Sequence, residues 1–245
     1  MPSEEHIPAE NSLLAALCRK DRQHLLSGCE QVELVFGNIL CQPNQIIRHV
    51  YFPTDSYISL MTPIDCHNSL EVALVGSEGM FGIPIMLGVA VSSLHAVVQG
   101  SGNAWRMDAE RFHSELKHCV ALQQELNRYI HVLMIQLTQT AACARFHVVE
   151  ERLARWLLMM QDRAHSNAFH ITHEFLAHML GVRRVGITKA AGSLQKKRLI
   201  SYSRGDVRIN DNAGLEAASC SCYRADKETY ERILNLSKPC RPAND

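Results

Sequence analysis

Arg183, Arg184 and Lys189 fall close together at the start of a segment whose apolar residues recur at helical spacing. Cations at the N-terminal end of a helix oppose its macrodipole, so internal stability gives little reason for two arginines there, whereas an anionic partner does. Guanidinium and ammonium groups about one turn apart suit phosphates and the acceptor edges of bases. Thr172, Val185 and Thr188 belong to the same constellation. Arg204-Gly205-Asp206 adds one more cation in a tight turn between two short strand-like runs.

The other reactive side chains are dispersed. Nine cysteines, at 18, 29, 41, 66, 119, 143, 220, 222 and 240, are scattered, several within apolar helical or strand patterns, and read as reduced, buried small hydrophobes. Cys18, Cys29 and Cys41 are 11 and 12 residues apart, which matches no common iron–sulfur spacing. Cys220-Ser221-Cys222 is the only tight pair; two such thiolates can share a metal or oxidise. A zinc site would need two more ligands, with Cys240 the nearest remaining cysteine, so a packed tail with no metal is expected. The thirteen histidines stand singly, as structural histidines do, with haem ligation by one of them the alternative. With no phosphate loop, nucleophile elbow or compact His/Glu motif, neither an enzyme activity nor a resident cofactor is expected.

The cationic residues need elements to hold them. Thr172 can cap a helix with Phe175, Leu176, Met179 and Leu180 inward, and Gly181 stops it. A second helix over 183–197 would bury Val185 or Gly186, Ile187, Ala190, Ala191 and Leu194. Two short helices about a glycine turn form a helix-turn-helix, and a hairpin around Arg204–Asp206 supplies a wing for the phosphate backbone. Upstream, a helix is expected over 148–162. Before it a long helical run extends from Ala109 into the 140s, with Leu122, Leu126, Tyr129, Leu133 and Leu137 as a coiled-coil-like stripe, which predicts a homodimer seam. Residues 31–107 form short strands (46–52, 57–61, 70–75, 95–99) between Pro and Gly turns, the texture of an antiparallel barrel or roll. One further helix is expected over 11–26, capped by Asn11 or Ser12.

Zero net charge conceals a division. Residues 1–110 hold 5 Lys/Arg against 12 Asp/Glu, net −7, and residues 151–208 hold 11 against 4, net +7. The second half attracts polyanions. The acidic start and the lack of a long apolar run predict a cytoplasmic chain with no membrane partner.

Residues Ile171 to Ala177, Gly181-Val182-Arg183-Arg184, and on to Leu194, Leu199 and Ile200 resemble the DNA-binding domain of the Crp/Fnr family of bacterial transcription regulators. Glu151 to Leu157 is similar to the segment after that family's dimer helix, and Val75-Gly76 through Gly79-Met80-Phe81-Gly82 to a turn of its cyclic-nucleotide-binding-like roll. The resemblance covers about residues 12–215. It implies an α+β chain: an antiparallel β-roll (a double-stranded β-helix, jelly-roll-like) over 1–116, a dimerisation helix over 117–145, a winged helix-turn-helix over 146–215 and a tail over 216–245. It also implies a dimer on a near-palindromic site in double-stranded DNA, with Arg184 reading a base, Lys189 at a second cationic contact, and Val185 where many members carry a base-reading glutamate. An activator would also need a surface for RNA polymerase, which the sequence does not locate.

The resemblance places an effector pocket around Gly82, Ile83, Ser93 and His95, for a small-molecule or redox signal that the residues do not identify. Cyclic-AMP-binding members use a glutamate after the last turn glycine and an arginine about ten residues on. Here Ile83 follows Gly82, and residues 49–105 contain no Lys or Arg. A phosphate would lie unpaired in an apolar roll, which excludes the usual mode. The competing reading is a ligand-binding or redox/metal-sensing module whose helical tail makes protein contacts.

Overall fold

The computed structural model describes residues 10–64, 69–164 and 166–234. The chain opens with α1 (Ser12–Ala15) and α2 (Arg19–Leu26) where one helix was expected. Asn11 caps α1, accepting from the Leu13 amide at 3.1 Å, and its own amide donates to the Pro53 and Gly79 carbonyls at 2.9 and 2.8 Å. Extended Cys18 breaks the helix and restarts it by accepting from the Asp21 amide. The break lets Leu13, Leu14, Leu17 and Leu25 all bury against the strands that follow.

Those strands are β1 (Glu30–Leu34), β2 (Ile39–Cys41), β3 (His49–Pro53), β4 (Tyr57–Pro63) and β5 (Ser69–Val75), then, after the short α3 (Ile83–Met86), β6 (His95–Gly100) and β7 (Gly102–Asp108). They pair antiparallel in two sheets, β1-β7-β3 and β2-β6-β4-β5, as the alternating short runs predict. Val50, Phe52, Ile58, Val75, Val98 and Met107 fill the space between.

The helical run after β7 is also broken, into α4 (Ala109–His118) and α5 (Val120–Phe146). Asp108 caps α4, and Cys119, at φ −111° and ψ 90°, ends it and caps α5 through its sulfur. The turn lets α4 press Phe112 and Leu116 onto the roll, while α5 runs on for 27 residues, about 40 Å at ~1.5 Å per residue.

The chain's own core takes up most of the stripe expected to form a dimer seam. Leu122, Leu126 and Tyr129 have no exposed surface and belong to the roll's own core, with Tyr129 against Gly79. Leu133 packs partly against that core, and Leu137 alone of the five is exposed. A long apolar helix beside a roll must first satisfy the roll, and that claims the more regular stripe. The outward face holds Met134, Leu137 and Ala141, with Ile130 half-buried beside them.

After a break at His147, α6 (Val149–Ala164) leads to β8 (Ala168–His170), α7 (His173–Leu180), α8 (Arg184–Lys196), β9 (Ile200–Ser203) and β10 (Asp206–Ile209). Leu153, Trp156, Leu157, Leu176, Ile187 and Leu194 form a second core. Among the described residues of the C-terminal part, α9 (Asn212–Ala218) buries Leu215 in that second core, and α10 (Cys222–Leu234) buries Tyr223 there and Tyr230 and Leu234 in the first. Cys66 and Cys240 lie outside the described residues. No helix among the described residues is long and apolar enough to cross a membrane.

Candidate nucleic-acid interface

Thr172 closes the start of α7, its Oγ1 accepting from the Phe175 amide at 3.2 Å. Gly181 ends the helix at φ 61°, ψ 42°, a conformation costing an L-residue about 1–2 kcal/mol, so the tight turn depends on glycine here. Two residues later α8 begins without a side-chain cap, leaving its first amides open to an anion.

The helix has two faces. Ile187, Ala190, Ala191 and Leu194 are buried against α6 and α7. At ~100° per residue, Arg184, Thr188, Gly192, Val185 and Lys189 share the opposite arc of about 140°. Arg184, Val185, Thr188 and Lys189 are exposed, as is Arg183 just before them. Val185 is 64% exposed, leaving Gly186 as the half-buried member of that pair. A side chain at Gly192 would meet open space, so nothing inside the fold asks for glycine there.

The wing forms as expected. Ser203 pairs with Asp206, leaving Arg204-Gly205 as a two-residue loop with φ 51° and 92°, the positive pair that matches strand twist. Arg204 is exposed at its tip. β8 adds a third strand, in the order β8-β10-β9, and His170 Nδ1 lies 2.8 Å from Asp206 Oδ1. Among the described residues no carboxylate pairs with Arg183, Arg184, Lys189 or Arg204.

The positive half is not all interface. Arg155 pairs with Asp226 at 2.6 Å and Arg163 with Glu78 at 2.8 Å, both arginines buried, and Arg152 donates to the Leu180 carbonyl. These cations hold the fold together, leaving the free ones to α8 and the wing.

His173 was not anticipated. Its ring stacks on Tyr202 at 4.2 Å, and Nδ1 lies 3.1 Å from Thr188 Oγ1, so it joins α7, the recognition face and the wing. Burial, and then the Arg184 charge, hold its pKa below the usual value. No local signal marks it, because its partners lie 15 and 29 residues away. Gly192 did carry a signal, a glycine inside a helical pattern.

The proposed effector residues differ in their surroundings. Ile83 is buried in the roll's core, and a side chain at Gly82 would strike Val50 at 2.6 Å, so both serve packing. Ser93 is exposed and His95 half-buried. A cleft in the roll is lined by Leu40, Gln45, Arg48, His49, Tyr51 and Phe81.

The roll meets the second domain at Glu71, fully buried and accepting from Ser59 Oγ at 2.6 Å and Trp156 Nε1 at 2.8 Å. Burial raises its pKa, and the two donors oppose the rise.

One cluster lies away from these surfaces. Cys220 and Cys222, expected in a packed tail, meet Cys143 and His147 from the end of α5, and the four ligating atoms lie within 4.8 Å of one another. A hydrogen bond from Cys220 draws the Cys143 thiol down to about 4, while the same contact pushes Cys220 up.

Residues 151–218 match the family model of the Crp-like helix-turn-helix domain. No curated protein matches in a sequence search. Among solved structures, a Crp/Fnr-family transcriptional regulator from Eubacterium rectale aligns with TM-score 0.66 at 18% identity over 82% of this chain and 94% of that one. FixK2 from Bradyrhizobium japonicum aligns with TM-score 0.66 at 11% identity, over 78% and 98% of the two chains. The c-di-GMP-responsive global regulator CLP of Xanthomonas campestris aligns with TM-score 0.61 at 14% identity, over 78% and 99%. Residues 151–218 thus carry a Crp-like helix-turn-helix domain, and the roll, long helix and winged domain together share the fold of these solved structures.

Proposed function

We propose that the protein is a dimeric, sequence-specific DNA-binding regulator of transcription whose roll receives a signal other than a cyclic nucleotide held in the usual way. The observation that carries this reading is the outward face of α8: Arg184, Thr188, Val185 and Lys189 exposed on one arc, with Arg204 on the wing. Such a face fits a major groove. Arg184 suits a guanine edge, Val185 a thymine methyl, and Lys189, Arg183 and Arg204 the flanking phosphates. Two copies joined along Met134, Leu137 and Ala141 of α5 would present two such helices to half-sites about one DNA turn apart.

The signal is constrained by what the roll lacks. With Lys and Arg absent from residues 49–105, a phosphate inside the sheets has no counter-charge from those strands. The cleft beside Arg48 and His49 is the alternative place for an effector.

Selection from a random duplex pool, followed by titration of wild type and Arg184→Ala on the enriched site, tests the reading. An inverted repeat should emerge, and Arg184→Ala should lose about 10- to 100-fold in affinity with relaxed preference at one position per half-site. Affinity should also fall by about 10³-fold or more between 50 and 200 mM salt. No enrichment together with salt-independent binding, or an Arg184→Ala protein of unchanged affinity and preference, would overturn it.

A further inference from the structure

Three cysteines and a histidine from distant parts of the chain converge where α5 gives way to α6. Cys143 and His147 are one helical turn apart at the end of α5; Cys220 lies in the turn after α9, and Cys222 opens α10. Cys143 Sγ is 3.4 Å from Cys220 Sγ, Cys222 Sγ is 3.5 Å from His147 Nδ1, and no pair of the four exceeds 4.8 Å. Around one tetrahedral zinc, bonds of ~2.3 Å to sulfur and ~2.0 Å to nitrogen put ligand atoms about 3.5–3.8 Å apart. The observed separations bracket that range, so sub-ångström shifts would close the shell. The four atoms converge on one point, which suits a single ion and not a cluster.

Cys143, Cys220 and Cys222 form a buried group of their own, separate from both large cores. The surroundings favour the thiolate form of these cysteines. Arg155, which pairs with Asp226, lies against Cys143, offsetting the excess negative charge of three thiolates on a divalent ion.

We propose that Cys143, His147, Cys220 and Cys222 form a closed mononuclear zinc site that pins the α9–α10 turn to the hinge between α5 and α6. Soft thiolates with one imidazole select zinc over hard cations, and four protein ligands make the site structural. Binding releases the thiol protons to solvent and changes no oxidation state. Because α9 and α10 pack on α6, the ion would fix the angle at which α5 meets the winged domain.

The test uses the full-length chain, produced with zinc and purified under reductant, with metal content measured by mass spectrometry. About one zinc per chain is expected. A Cys220→Ser/Cys222→Ser variant should hold less than about a tenth of that, and a Cys18→Ser/Cys41→Ser control should retain it. Should the double variant misfold, wild type alone decides. Cobalt exchange should give the visible bands of a tetrahedral ion together with thiolate charge transfer, and zinc should shield Cys143, Cys220 and Cys222 from alkylation. A metal-free wild type with no cobalt spectrum, an unchanged zinc content in the Cys220/Cys222 variant, or a Cys143–Cys220 disulfide under the same reductant would each overturn the proposal.

Discussion

His173 shows how one side chain ties recognition to stability. Burial between Tyr202 and Thr188, and then the nearby Arg184 charge, hold its folded pKa below the ordinary 6.5. Below that pH the unfolded chain binds a proton that the folded chain resists, so stability rises with pH across this window. The contribution is present above about pH 6.5 and is lost as pH falls towards the depressed folded value. Thermal melts from pH 7.5 to 5.5 should show wild type losing more stability than His173→Gln; parallel losses would remove His173 as the cause. The cationic constellation was legible from residue types alone, because helical spacing and a glycine stop are local. His173 was not, since its role comes from two partners brought in by tertiary contacts.

Among the elements, α8 carries the sharpest conflict between folding and function. A glycine inside a helix costs about 0.5–1 kcal/mol relative to alanine, and nothing within the fold requires Gly192. It lies mid-arc between Arg184 and Lys189, where a bare backbone allows close approach to a groove. Gly192→Ala should therefore raise the melting temperature by a few degrees, corresponding to about 0.5–1 kcal/mol, and weaken specific DNA binding. Calorimetry with binding titrations checks both; stabilisation with undiminished affinity would mean that this part of α8 stands clear of DNA. Helix existence here followed from apolar periodicity and caps. The breaks at Cys18 and Cys119 did not, because each is set by the direction in which the next apolar stripe must face to reach the roll.

Across the whole molecule, α5 shows that the same helix can have two apolar faces with different destinations. Leu122, Leu126 and Tyr129 are spent on the chain's own core, so the proposed pairing of two chains would use the outward Met134 and Leu137. Met134→Glu/Leu137→Glu should leave the melting temperature nearly unchanged at low concentration while converting a dimer to monomers in light scattering. Leu126→Ala should instead cost about 2–5 kcal/mol of folding stability. A double glutamate variant that stays dimeric would move the seam elsewhere. Glu71, held by Ser59 within the roll and bonded to Trp156 of α6, and Arg163 of α6 against Glu78 tie the roll to the winged domain.

The amino-acid order alone determined the succession of strand-rich, long-helical and winged segments, the helix-turn-helix with its wing, and which cations lead α8, but not the breaks at Cys18 and Cys119 or the helices α9 and α10. These follow from period, caps and turn chemistry, which act over a few residues. Tertiary structure decided which stripe of α5 faces inward, which arginines of the basic half are consumed by Asp226, Glu78 and the Leu180 carbonyl, and that Cys143 and His147 stand beside Cys220 and Cys222. Each of these depends on partners about 20 to 90 residues apart, and no local pattern records which of several suitable partners the fold will bring near.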